Sequence, residues 1–148
     1  MNYYEEIKNE LINNEVYKKV KDYSKNKNDL MTYYNVGKLL FKAGKHYGNG
    51  IIKQYSIKLV EEFSNAKYGY RNLFNMRKFY ILFQNEKMNA LRTQLSWTHY
   101  RELLVLKDMN EINYYIDISI KENLSYRELH NKIKSKEYQR LDKESYCY

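Results

Sequence analysis

Proline is absent from this chain of 148 residues, glycine occurs five times and cysteine once. Proline breaks helices and glycine weakens them, so their scarcity favours an all-helical fold with short connections. The lone Cys147, next to the C-terminus, excludes an intramolecular disulfide and fits a reducing compartment. No apolar run approaches the roughly 20 residues that span a bilayer. The N-terminal "MNYYEEIKNELI" is polar and acidic where a secretion signal is basic and then apolar. A soluble, cytoplasmic protein with no membrane contact is expected.

What is present is a hydrophobic fraction of 43 %, enough for a core, and a formal charge of +8 spread over both halves of the chain. The length suits one domain, expected over residues 1–148. The positive charge favours polyanions through phosphate neutralisation, and it also serves solubility alone. The 18 tyrosines accompany abundant Lys, Asn and Ile, a bias that an AT-rich genome produces without any function.

Hydrophobic spacing predicts an all-α domain of about seven helical segments. The first covers residues 3–23, with a break near Asn13–Asn14. "KNKND" (25–29) reads as a polar connection, with Asp29 capping a helix over 30–43 that presents Tyr33, Val36, Leu40 and Phe41. "GKHYGNG" (44–50) reads as a loop, followed by a helix over 51–63. "SNAKYG" (64–69) then turns the chain into a helix over 70–83, with Leu73, Met76, Tyr80 and Phe83 in one apolar stripe. A weak helix near 86–92 precedes three better-marked ones over 97–107, 109–122 and 126–141. Ser96 caps the first of these, and Asp108 with Glu111 and Ser125 with Glu128 form capping boxes for the others.

Catalytic readings are poorly supported. Ser96 and His99 are three apart and could meet on a helix, with Asp108 as a third member. The glycine elbow that exposes a serine nucleophile is missing, and capping explains Ser96 and Asp108 more simply. His46, His99 and His130 are isolated, so no metal site is expected. "GNG" (48–50) is not a phosphate-binding loop, and the only E-x-K triplet, Glu6-Ile7-Lys8, has before it only the adjacent Glu5 and no separate upstream carboxylate to share a cation. No catalytic residue and no cofactor is assigned.

Four segments then carry a resemblance. "YYNVGKLL" (33–40), "GYRNLFNMRKFY" (69–80), "QLSWTHYRELL" (94–104) and "ENLSYRELHNKI" (122–133) resemble, in order and spacing, the N-terminal domain of YhcG-type proteins over residues 30–142. The resemblance implies a helical domain that binds DNA, followed in longer members by a PD-(D/E)xK nuclease-like domain. That second domain has no counterpart in this chain, so nuclease activity is not carried over; a natural stand-alone module, to which the native-looking "ESYCY" end leans, and a piece trimmed from a larger protein are both expected readings. A weaker likeness is to the helical DNA-binding region of ParB-type partition proteins. It implies a helix-turn-helix formed by 51–63 and 70–84, with a linker longer than the usual three- or four-residue turn. "SIKENLSYREL" (119–129) is a rival helix-turn-helix, with Asn123 at its turn and Leu124 and Leu129 packing.

A DNA-reading helix needs apolar anchors on one side and polar donors on the other. Arg71, Asn75 and Lys78 lie within about 60° of one another at 100° per residue, and Arg127, Asn131 and Lys134 make a second row. Both are expected nucleic-acid contacts, and a solvated basic face is the competing explanation for each. Arg77 lies nearer the apolar stripe, where a structural role suits it. The expected function is therefore a non-catalytic module for nucleic acid, duplex DNA first, with paired half-sites suiting a homodimer. The alternative is an interaction or inhibitor module from a phage or mobile element. It would dock on a host nuclease or similar enzyme in an anti-restriction or anti-CRISPR role, since aromatics and Arg are common interface anchors.

Overall fold

Glycine and proline scarcity is matched by a computed structural model whose described residues hold eight α-helices and no strand. These are α1 (Tyr3–Val20), α2 (Lys25–Tyr47), α3 (Gly50–Phe63), α4 (Tyr70–Phe83), α5 (Trp97–Leu103), α6 (Met109–Lys121), α7 (Tyr126–Lys134) and α8 (Glu137–Tyr146), with a 3-10 turn at Ala66–Tyr68. The structure describes the backbone of residues 2–20, 25–84, 92 and 94–146, and the side chains of 2–16, 29–84, 92 and 94–141. The chain divides into two compact units, Met1–Lys87 and Met88–Tyr148.

In the first unit α2 is the central element, packed against α1, α3 and α4. Leu30, Tyr33, Val36, Leu40 and Ala43 recur at helical intervals along it and are buried. Ile7 and Leu11 of α1, Ile52 and Leu59 of α3, and Leu73, Met76 and Phe79 of α4 complete this core. The closest approach is at Gly37, where an added Cβ would run into the Met76 carbonyl and come within 3.0 Å of Tyr80 Cβ. The α2–α4 crossing therefore requires glycine for space.

Several boundaries differ from the sequence-based expectation. Residues 25–29 are helical, and Asp29 lies inside α2 instead of capping it. Its carboxylate accepts from Asn14 Nδ2 at 2.9 Å, which satisfies a buried amide and lets α1 run unbroken through Asn13–Asn14. The 44–50 loop shrinks to Gly48 and Asn49, because α2 continues to Tyr47 and Gly48 alone takes a positive φ of 89°. On α4, Phe79 is buried and Tyr80 only half-buried, between Tyr34 (5.2 Å between centroids) and Phe41 (5.7 Å) of α2. The weak helix expected near 86–92 falls almost wholly outside the described residues.

In the second unit the core is Leu95, Tyr100, Leu103, Leu104, Ile112, Tyr115, Ile116, Leu124 and Leu129. The helix expected over 97–107 stops at Leu103, and that expected over 126–141 divides at Ser135–Lys136. Lys136 takes a left-handed φ of 58°, and the redirected α8 reaches α6. There Tyr115 Oη accepts from the Tyr138 N–H (3.2 Å), and Tyr114 Oη donates to Glu137 (2.8 Å). These bonds, unreadable from local periodicity, explain why one long helix becomes two. Asp108 does cap α6, accepting from Asn110 N–H at 3.0 Å. Glu111 forms no box with it: its buried carboxylate accepts from Gln139 on α8 at 2.9 Å.

Gly37→Ala is expected to lower the unfolding free energy by about 1–3 kcal/mol through overpacking. Gly50→Ala, at a helical site with open space, should be neutral or stabilising by a few tenths of a kcal/mol. Chemical denaturation of the two variants side by side checks the contrast.

Candidate nucleic-acid interface

The stretch that suggested a Ser–His–Asp box is a helix start. Ser96 is the N-cap of α5, and its backbone N–H donates to His99 Nδ1 at 3.3 Å, with Ser96 Oγ 2.9 Å from the same nitrogen. The other ring nitrogen lies 2.8 Å from the Leu124 carbonyl. A carbonyl only accepts, so Nε2 carries the proton and Nδ1 is the acceptor; both His99 nitrogens are used in neutral imidazole. Asp108 is engaged at the start of α6.

Leu124 belongs to the turn between α6 and α7, residues 122–125, whose backbone N–H groups all have partners. Asn123 takes a left-handed φ of 52°. The Leu124 N–H donates to Ser119 O (2.9 Å) and the Asn123 N–H to Ile120 O (3.4 Å), the pair of bonds that closes a helix C-terminus in a Schellman motif. Ser125 then begins α7 with a capping box: Glu128 N–H donates to Ser125 Oγ (3.2 Å), and Ser125 N–H donates to Glu128 Oε1 (3.1 Å). The Ser125 N–H and hydroxyl hold the Glu128 carboxyl below the usual glutamate range.

This turn aims α7. Leu129 is its only residue in the fully buried class, while Arg127, Asn131 and Lys134 are all exposed. At 100° per residue those three lie within about 60° of one another, across the helix from Leu129. Lys132 on the flank is committed to Glu137 at 3.0 Å. Burial would raise the Glu137 carboxyl, but hydrogen bonds from Lys132 and Tyr114 outweigh it and hold it below the usual range. Beside the row runs an open groove of about 310 Å³, lined by Tyr126, Arg127, His130 and Asn131 of α7 and Glu102 of α5. His130 Nδ1 lies 2.7 Å from Glu102 Oε2.

The α4 row is different in setting. Arg71 and Lys78 are exposed, but Asn75 is half-buried. Beside the row are exposed Tyr70 and half-buried Phe74 and Ile81. Tyr70 pairs with Phe74 (5.5 Å), and the Arg77 guanidinium sits 4.4 Å over the Phe74 ring while its Nη1 donates to Asn49 (2.8 Å). Arg77 is thus the structural arginine that its position predicts. The α3–α4 linker, residues 64–69, contains the 3-10 turn and is longer than the α6–α7 turn.

Sequence reasoning named the three α7 row residues but missed the groove. Tyr126 and His130 are an i, i+4 pair next to Arg127 and Asn131, a signal that was available. Glu102 was not, because its contact with α7 is tertiary. The Ser96–His99 cap was legible as a serine three residues before a polar side chain able to accept a hydrogen bond. Among the described residues no group of three or more His, Cys, Asp or Glu could hold a metal ion. No described helix is long and apolar enough to cross a membrane.

An all-α domain in which a capped turn leads into a helix with an exposed polar row is the class of protein these features define. The DUF1016 N-terminal domain model matches residues 6–140, and the chain belongs to that family, the YhcG-type N-terminal domains. The match reaches no catalytic nuclease domain. No curated protein and no solved structure matches significantly.

His99→Ala removes an acceptor at the α5 cap and the donor to Leu124. A loss of about 1–3 kcal/mol of unfolding free energy is expected, read by urea denaturation. Unchanged stability would contradict the capping role.

Proposed function

We propose that the chain is a non-catalytic nucleic-acid-binding module with duplex DNA as its ligand and α7 as the principal contact helix. The observation that carries this reading is the exposed row of Arg127, Asn131 and Lys134 on a helix anchored from the other side and fixed by a doubly capped turn. Arg and Lys neutralise phosphates, and Arg and Asn also present the forked donor and donor–acceptor patterns that read guanine and adenine edges in a major groove. The +8 charge of the whole chain adds long-range attraction for a polyanion. Arg71 and Lys78 of α4, in the first unit, are a separate candidate for phosphate contact. Catalysis is left out of the reading because Ser96, His99 and Asp108 are committed to helix ends.

A second reading, docking on a nucleic-acid-processing enzyme as an inhibitor or adaptor, is favoured by the outer face of α4. Tyr70, Phe74 and Arg77 stack there in the residue types that anchor protein interfaces.

Fluorescence anisotropy of a labelled blunt duplex, repeated over a salt series, tests the first reading. Affinity should fall steeply with salt, by a slope of about 0.9 per phosphate contact. Arg127→Ala with Lys134→Ala should weaken binding at least tenfold and flatten that slope by about one to two, with helical content unchanged. No binding at low salt contradicts the proposal. Capture of a defined protein that survives nuclease treatment would then support the second reading.

A further inference from the structure

The groove between α5 and α7 combines groups that a phosphate-binding surface would not combine. Glu102 is half-buried and points a carboxylate into it, with Oε2 taken by His130. A carboxylate repels a phosphodiester but accepts from an amino group. Asn131 offers an exposed amide, able to donate and accept, on the same wall. Tyr126 keeps 40 % of its surface exposed at the groove's edge. Arg127 approaches it from the hydroxyl side, with Nε 3.3 Å from Oη and Cζ 5.8 Å from the ring centroid, and so does not lie flat over the ring.

An aromatic face, an amide and a carboxylate converging on one open groove match the chemistry of an amino-bearing nucleobase: stacking surface below, edge acceptors and donors beside it. A base within a duplex has that edge occupied by its pair. We propose that this groove seats an unpaired nucleobase of the bound nucleic acid, stacked on Tyr126 and hydrogen-bonded at its edge by Glu102 and Asn131. The proposal rests on the reading of α7 as the nucleic-acid contact and extends it. Arg127 and Lys134 hold the adjoining backbone, and the protein favours DNA with a single-stranded extension over a blunt duplex. Because the carboxylate needs an amino partner, cytosine is preferred to thymine.

The test uses the full chain and three labelled DNAs sharing one duplex: blunt, with a short oligo-dC tail, and with an oligo-dT tail. The dC tail should tighten binding about tenfold over the blunt form, and the dT tail less, on the scale of base–aromatic stacking. Tyr126→Ala should abolish that gain while leaving blunt-duplex affinity in place, and Tyr126→Phe should retain it. Glu102→Gln should erase the preference for dC over dT. Circular dichroism checks that each variant folds, and Tyr126→Leu, which keeps apolar bulk without an aromatic face, replaces Tyr126→Ala if that variant does not. A tail that gives no gain, or a gain that survives Tyr126→Ala, overturns the nucleobase site and leaves the duplex reading standing. Absence of binding to all three DNAs overturns both.

Discussion

The hydrogen bond from His99 Nε2 to the Leu124 carbonyl holds the candidate interface together. It links the cap of α5 to the turn from which α7 emerges, across 25 positions of sequence. Without it, the buried contacts of Leu124 and Leu129 would still attract α7 to the core but would leave its direction less determined, since apolar burial is not directional. The left-handed Asn123 and the Ser125–Glu128 box fix the rest of the turn. In the exposed row of α7, Arg127 Nε donates to the neighbouring Tyr126 Oη, and the row faces outward where a ligand can reach it.

The first unit meets a different constraint. Its central helix α2 approaches α4 so closely that Gly37 leaves no room for a side chain, and the half-buried Tyr80 settles between Tyr34 and Phe41 beside that crossing. Several of the 18 tyrosines have packing or hydrogen-bonding work of this kind. Tyr68 donates to Glu15 at 3.1 Å, and burial above all pushes its hydroxyl well above the usual tyrosine range. Tyr100 closes the second unit against the backbone of Arg92, accepting from its N–H and donating to its carbonyl. Composition bias supplies tyrosines, and the fold uses their hydroxyls to satisfy backbone and carboxylate groups at its edges.

Much of this was legible in the sequence wherever the signal is local. The 70–83 helix, the Ser96 and Ser125 starts and the positions of Arg127, Asn131 and Lys134 follow from 3.6-residue periodicity and capping chemistry. Near the first unit's turns, polar or glycine-rich stretches were read as breaks where the helix continues, whereas the helices expected over 97–107 and 126–141 end sooner than periodicity implies. Asp29 sits mid-helix, where it accepts from Asn14, and Gly44 lies within α2 with Asn49 Oδ1 and Arg77 Nη1 close to it. Glu111 leaves its expected capping box for Gln139. The Glu102–His130 pair that shapes the groove belongs to the same class, since no spacing rule connects positions 28 apart.

Amide chemical-shift mapping with a blunt DNA duplex tests the central claim most directly, because it reports on every helix at once. The account predicts that the largest changes fall on residues 125–135 and on the Arg127 side chain, with smaller ones near Arg71 and Lys78. Changes confined to α1 and α2, or none at saturating duplex and low salt, would contradict it.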